Sequence, residues 1–362
     1  MSGRDNVEES LARFLQNRAG ESGFETKRLP VAGQADNLLI SYQRDPDLPW
    51  ILFDSHLDTV TVDGMIIDPF GGVVREDKVW GRGACDTKGS GASMFEALIR
   101  YSNQKEGNNN IFILYSIDEE QGMSGIRSFV EVYNSKSLPS ISGAIVGEPT
   151  RLTPVIAHNG VQRFRLRTRG VAVHSADPTR GKSAISAMVR LISYLEAEYI
   201  PSLNSRHDLT GKSQCSINMI SGGSAINIIP DQCTAFVDRR LVPLERPEAV
   251  EAGLKKSLDR FRSLFPDDEI EIDVSLSTPP LQPHENSPFL ESALQTLVEI
   301  DGKSTGRGAK YATHAGDLSR AEIPSIVLGP GDIAQGHTED EWIEIEQLQQ
   351  GVEVYLELMA RA

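Results

Sequence analysis

No stretch of this chain is apolar enough to cross a bilayer. The longest strongly apolar run, residues 111–117, is far short of the ~20 residues that a spanning helix needs. The opening MSGRDNVEES lacks the basic-then-apolar layout of a secretion signal. Cysteine is scarce. Cys85, Cys215 and Cys233 cannot all pair within the chain and are not spaced as a zinc knuckle, so a reducing, cytoplasmic setting is expected. Positive charge is in the minority: 36 Lys and Arg stand against 51 Asp and Glu, a net charge of −15. That balance argues against phosphate backbones and anionic lipid. No nucleic-acid or membrane partner is expected, and small substrates or cations fit better. Repeats and low-complexity segments are also missing.

What is present reads as a soluble globular protein, with 39% apolar and 24% charged residues. At 362 residues the chain is too long for one ordinary core, so two domains are expected. The first ~160 residues alternate short apolar runs (50–53, 111–117, 144–146) with amphipathic stretches, the rhythm of an α/β sheet domain. Residues 161–277 read differently: strand 163–173, helix 184–199, strands 214–220 and 233–241, helix 248–265, strand 270–276. That order is βαββαβ, the ferredoxin-like arrangement. After the Pro-rich joint STPPLQP the α/β rhythm resumes, with a helix at 288–300, a strand at 325–328 and a closing helix. The expected architecture is a discontinuous α/β domain, 1–160 with 278–362, interrupted by a smaller inserted domain.

The polar residues that follow the apolar runs carry the chemistry. The first run leads into Asp54-Ser-His56-Leu-Asp58, the second into Asp118-Glu119-Glu120, and the third into Gly147-Glu148. The run at 326–328 leads through Gly-Pro-Gly to His337. In open α/β sheets, ligands bind beyond the carboxyl ends of strands, where loops converge. Between the first two runs, GRGACDTKGSG sets Asp86 in a glycine-rich loop before a helix. Taken singly, each of these is far more often a solvated surface group than a ligand. Five at successive strand ends form a pattern that suits a divalent cation bound by imidazole and carboxylate. They also exceed what one tetrahedral ion needs, and suit two ions sharing a carboxylate and a water. Asp58 is placed to fix the tautomer of His56.

The stretches SHLDTV, GRGACDTKGSGASM, DEEQG, GEPT, GVAVHSADPTRGKSAI, NIIP, VDRRLVP and GPGDIAQGHTEDEWIEI resemble those of one metallopeptidase family. It comprises aminoacylases, carboxypeptidase G, succinyl-diaminopimelate desuccinylase and acetylornithine deacetylase. The resemblance runs from about Leu52 to the C-terminus, with the motifs in the family's order. It implies a zinc-hydrolase α/β domain with an inserted ferredoxin-like dimerisation or lid domain, and a homodimer. It further implies two divalent ions per chain, zinc first, with cobalt or manganese as alternatives. His56 and Glu148 would hold one ion, Glu120 and His337 the other, and Asp86 would bridge them. Glu119 matches the general base that takes a proton from a water shared by the ions, and Asp58 the residue that orients His56. His174 matches a residue that helps bind the oxyanion in the partner subunit's site. Asn227 and Arg240 match contacts to the substrate carboxylate, with Arg239 as an adjacent alternative. His158, in AHNG, fits the pattern without an assigned role.

The implied reaction is hydrolysis of an N-acyl amino acid, with an acetyl group first given the tail of the sequence. Desuccinylation and dipeptidase or carboxypeptidase activity are the alternatives. One departure stands out: Thr313-His314-Ala315 puts an imidazole where the acetylornithine deacetylase branch has an acid. A carboxylate there would pair with a cationic side chain, and an imidazole would do so poorly. A rival phosphate-loop reading of residues 176–183 is weak, because Ala176 replaces the first glycine and Asp177 would face phosphate.

Overall fold

The computed structural model describes residues 5–284, 287–302 and 305–362. The chain divides into two compact units. The first is Met1–Ala157 with Leu281–Gly308 and Thr313–Ala362; the second is His158–Pro280 with Ala309–Ala312.

The first unit is built on a twisted eight-stranded sheet. Six of its strands run in the order Glu25–Leu29, Asn37–Tyr42, Asn110–Ser116, Trp50–His56, Ile141–Val146, Ser325–Val327. The last four are mutually parallel, so their carboxyl ends share one edge. Parallel strands covered on both faces need near-continuous apolar sequence, and all seven residues of NIFILYS are buried. Helices Lys88–Ser102 and Ile345–Arg361 pack against each other, and Met94, Leu98, Tyr355 and Met359 join Ile51, Phe53 and Ile113 in one core. The sequence predicts a strand over 50–53, but the strand continues to His56. Its polar end stays in the sheet because buried neighbours satisfy it: the Ser116 hydroxyl donates to Asp54 Oδ1 at 2.8 Å.

The second unit carries a four-stranded antiparallel sheet, ordered Gln214–Gly222, Gln232–Leu241, Gly160–Arg169, Glu269–Thr278. Helices Ala184–Tyr194 and Pro247–Leu264 complete a βαββαβ chain order. Strand alternation explains its two faces. Phe164 and Leu166 point into an apolar core with Met188, Leu191, Leu254 and Leu258. Arg163, Arg165 and Arg169 point outward and pair with Asp238, Asp273 and Glu271. Two predicted elements are shorter than expected. The strand at 163–173 ends at Arg169, and Val173–His174 pairs separately with Ile228–Ile229. The helix at 184–199 turns π-helical over Leu195–Tyr199. Residues 176–183 form an exposed turn, not a phosphate loop, and the Ser183 hydroxyl accepts from Ser186 N–H to cap the helix.

His158 is fully buried, and its Nδ1 lies 3.0 Å from the Asn159 carbonyl oxygen. Burial pushes its pKa down to about 4, against opposing backbone hydrogen bonds. The unfolded chain, with the ordinary value near 6.5, therefore binds a proton first. The stability this residue contributes is complete above that value and is lost as pH falls towards 4. Urea titrations should show the stability difference between the native chain and His158→Gln narrowing by about 3 kcal/mol between pH 7 and pH 4. A difference that is constant across that window would contradict the assignment.

Candidate metal centre

The parallel sheet brings the predicted carboxylates and imidazoles together at its carboxyl edge. His56 ends its strand directly opposite Ser116 of the neighbouring strand, which leads into Glu119 and Glu120. Glu148 follows the adjoining strand, where Gly147 N–H donates to the Asp54 carbonyl at 2.8 Å. Single ligand atoms of His56, Asp86 and Glu120 lie within 4.8 Å of one another. The two oxygens of Asp86 face different imidazoles: Oδ1 is 3.2 Å from His56 Nε2, and Oδ2 is 3.2 Å from His337 Nε2. His337 Nε2 is also 2.9 Å from Glu120 Oε1. The backbone of His337 is left-handed, with φ +62°. A non-glycine residue seldom adopts that conformation without constraint from its surroundings.

Asp86 is fixed by a residue that sequence reasoning left unassigned. Glu341, fully buried, accepts four hydrogen bonds: from Arg82 Nη1 (2.8 Å), Gly83 N–H (2.9 Å), Cys85 N–H (2.8 Å) and Asp86 N–H (2.9 Å). One carboxylate thus shapes the whole loop that presents Asp86. The loop needs a glycine at Gly83, whose φ is +81° and whose missing Cβ would fall 2.7 Å from Lys88 Nζ and 2.8 Å from Thr59 Cγ2. Glu341 lies inside the quoted EDEWIEI stretch, yet its role depends on folding across more than 250 residues. Cys85, next to Asp86, donates its thiol to the Asp332 carbonyl, and burial pushes its pKa up. It is a packed thiol and not a ligand.

Asp58 serves two partners. His56 Nδ1 lies 3.0 Å from the Asp58 carbonyl oxygen and 3.5 Å from Oδ1, and Oδ2 accepts from Glu120 N–H at 3.0 Å. Nδ1 is thereby the proton-bearing nitrogen, and Nε2 is free to act as a ligand. Burial works against ionisation of Asp58, but His56 and backbone N–H groups hold its pKa down at about 2. Glu119 responds oppositely. Burial pushes it up to about 7 while His56 and His314 pull against that shift. Glu148 is raised well above its ordinary value, by burial first and the Asp86 charge second.

Behind the centre lies a buried pair. His314 Nδ1 is 2.8 Å from Asp54 Oδ2 and 3.3 Å from the Ser116 hydroxyl, and its Nε2 is buried without a hydrogen-bond partner. The departure noted at this position therefore presents no polar atom to solvent, since both His314 and Asp54 are buried. An aspartate directly after the apolar run WILF, inside the buried strand WILFDSH, was the signal for such a partner.

The remaining predicted residues belong to the second unit. His174 is exposed, and its Nδ1 accepts from Ala176 N–H. Its neighbour Ser175 donates its N–H to the Asn227 carbonyl at 2.9 Å, so His174 and Asn227 adjoin. Arg240 is half-exposed and holds Asp238 Oδ1 at 2.6 Å. Arg239 is buried and pairs with Glu245 at 2.6 Å, which removes it as a surface carboxylate binder.

This donor set fits two divalent cations. Two imidazoles and several carboxylates converge without a thiolate, the oxygen and nitrogen chemistry that suits zinc, cobalt or manganese. Burial is the first cause of the upward shifts of Glu119 and Glu148, and neighbouring carboxylates add to both, a crowding that cations or protons relieve. With one oxygen towards each imidazole, Asp86 is placed where it would be able to bridge. Glu341→Gln should lower metal affinity about 10–100-fold through Asp86. It should also destabilise the fold by about 3 kcal/mol, because the buried Arg82 loses its counter-charge. Metal titration and urea denaturation read the two effects. Unchanged affinity would show that the loop holds Asp86 without Glu341.

Residues 52–361 match the family model described as peptidase family M20/M25/M40. An acetylornithine deacetylase of Photorhabdus laumondii is 31% identical over 353 residues, covering 94% of this chain and 87% of the relative. The solved M20 family metallo-carboxypeptidase from Sulfolobus solfataricus shares the fold, with a TM-score of 0.81 and 17% identity over 97% of this chain and 93% of that one. A dinuclear metal-binding M20 peptidase from Bacillus subtilis does likewise, with a TM-score of 0.71 and 16% identity over 98% and 92%. The family match over residues 52–361 and the 31% identical relative lead to one conclusion: the chain belongs to peptidase family M20/M25/M40 and is a hydrolase.

Proposed function

We propose that the protein is a dinuclear, metal-dependent amidohydrolase that removes an acetyl group from an N-acetyl amino acid. The observation that carries this reading is the carboxylate of Asp86 set between two imidazoles; Glu119, whose pKa burial raises, supports it. His56 and Glu148 would hold one ion, Glu120 and His337 the other, and Asp86 both. When bound, the ions polarise the amide carbonyl and acidify water. Zinc is the first choice, with cobalt or manganese as alternatives.

The chain's own residues handle the protons. Glu119, poised near neutrality, takes a proton from the attacking water and passes it to the departing amine. Asp58 keeps the His56 proton on Nδ1, so that Nε2 stays a donor of its lone pair. His174 would donate a hydrogen bond to the oxyanion of the tetrahedral intermediate; its exposed imidazole supports that role. Asn227 and Arg240 would contact the substrate's free carboxylate, for which the half-exposed guanidinium of Arg240 is suited. Homodimer formation through the second unit is supported by its edge strand Gln214–Gly222, which exposes Met219 and Ile220. Free thiols at Cys85, Cys215 and Cys233 support a cytoplasmic setting.

Release of free amine from a panel of N-acetyl, N-succinyl and dipeptide substrates, N-acetylornithine included, tests the reading. Zinc- or cobalt-dependent release from an N-acetyl amino acid is expected, with complete loss on chelation. Glu119→Gln should retain its metal and lose turnover by about 10²–10⁴-fold. Preferred release from N-succinyl substrates or dipeptides would move the assignment to those classes. Near-native turnover in a metal-replete Glu119→Gln protein would remove Glu119 from the mechanism.

A further inference from the structure

The second unit contains a groove that the catalytic reading does not use. It runs between helix Pro247–Leu264 and the π turn Leu195–Tyr199, with a volume of about 550 Å³, within the usual range for small-molecule sites. Arg246, Lys256 and Arg260 line it from the helix side. Their spacing puts them along one helical face, and none of the three has an ion-pair partner among the described residues.

The inner wall is Arg239, which is almost fully buried. Its Nη2 donates to Glu245 Oε1 at 2.6 Å, while its Nε is buried with no hydrogen-bond partner. Its Nη1 is held by the Arg240 and Gln214 carbonyls, so the unmade Nε–H is a cost, and Arg239 contributes positive charge to the wall that it lines. Two carboxylates also line the groove, Glu198 and Glu245. Glu245 is already taken by Arg239 and by the N–H of Val242. The groove is therefore cationic in a chain whose net charge is −15.

Two further features point the same way. Gly253 sits in the middle of the helix and lines the groove, and a Cβ there would meet nothing within 4 Å. A helix-interior glycine costs about 1 kcal/mol relative to alanine, and no packing neighbour accounts for it; its effect is to deepen the groove floor. The opposite wall is the π turn, a geometry that recurs at functional sites, and it brings Tyr194 and Tyr199 to the groove.

We propose that this groove is a binding site for a small multivalent anion, a compact molecule with two or more carboxylate or phosphate groups. Guanidinium forks suit both groups through paired, charge-assisted hydrogen bonds, and the tyrosine rings supply apolar faces for the molecule's frame.

Calorimetric titration of the metal-loaded, full-length protein at fixed ionic strength tests this. The two probes are benzene-1,3,5-tricarboxylate and benzene-1,3,5-tris(phosphate), and the tighter one assigns the anionic group. One-to-one, saturable binding of at least one probe is expected. Lys256→Glu with Arg260→Glu should weaken it at least tenfold. Gly253→Leu, which fills the floor without changing charge and favours the helix, should weaken it comparably. Arg169→Ala, on the outward face of the same sheet, should leave it unchanged. The proposal is overturned by an absence of saturable binding, or by binding that survives both groove variants. It is overturned equally if no probe binds and sedimentation shows a dimer that the charge-reversed variant dissociates, because a second copy would then occupy the groove.

Discussion

The carboxylate of Asp86 has to stand between two imidazoles that come from distant parts of the chain, and much of the first unit is arranged to let it. His56 arrives on the end of a buried parallel strand, while His337 arrives on a loop held in a left-handed conformation. Asp86 itself sits on a loop whose N–H groups are gathered by one buried acid, Glu341. Without that acid the loop would keep its glycines and lose the direction in which it presents Asp86. The charge on Glu341 is in turn tolerable because Arg82 shares its burial at 2.8 Å.

Crowding of acids explains the rest of the centre. Burying Glu119, Glu148 and Asp86 together is unfavourable without compensating positive charge. The protein offsets it selectively. Asp58 is held ionised by His56 and backbone N–H groups, whereas burial of Glu119 outweighs the pull of His56 and His314 and pushes it to about 7. Two carboxylates of one site thus acquire different protonation behaviour from their surroundings, a difference that suits a positioning group and a proton carrier. The Asp54–His314 pair adds a buried dipole behind the same strands.

The fold class and the converging strand ends were legible because each relies on local signals: apolar runs of the right length, each followed by polar residues. The βαββαβ order of the second unit was legible for the same reason. What escaped were the residues that act through long-range closure. Glu341 looked like one acid in an acidic run, EDEWIEI, until the fold brought it under residues 82–86. Asp54 looked like the end of a strand, and His314 like a substitution facing the substrate, until the sheet buried them against each other. The π turn at 195–199 also left no periodic trace, since its apolar residues continue the helical pattern before it. Backbone pairing at residues 171 and 182 ended the strand at Arg169 where the sequence pattern ran on.

The placement of Asp86 would let it bridge two cations. Electron paramagnetic resonance of the protein loaded with increasing cobalt(II) addresses it directly. Two ions per chain are expected, close enough (about 3.5–4 Å) to couple magnetically, with the coupling lost in Asp86→Ala. A single ion at saturation, or two ions with the spectrum of isolated cobalt in the native protein, would contradict it.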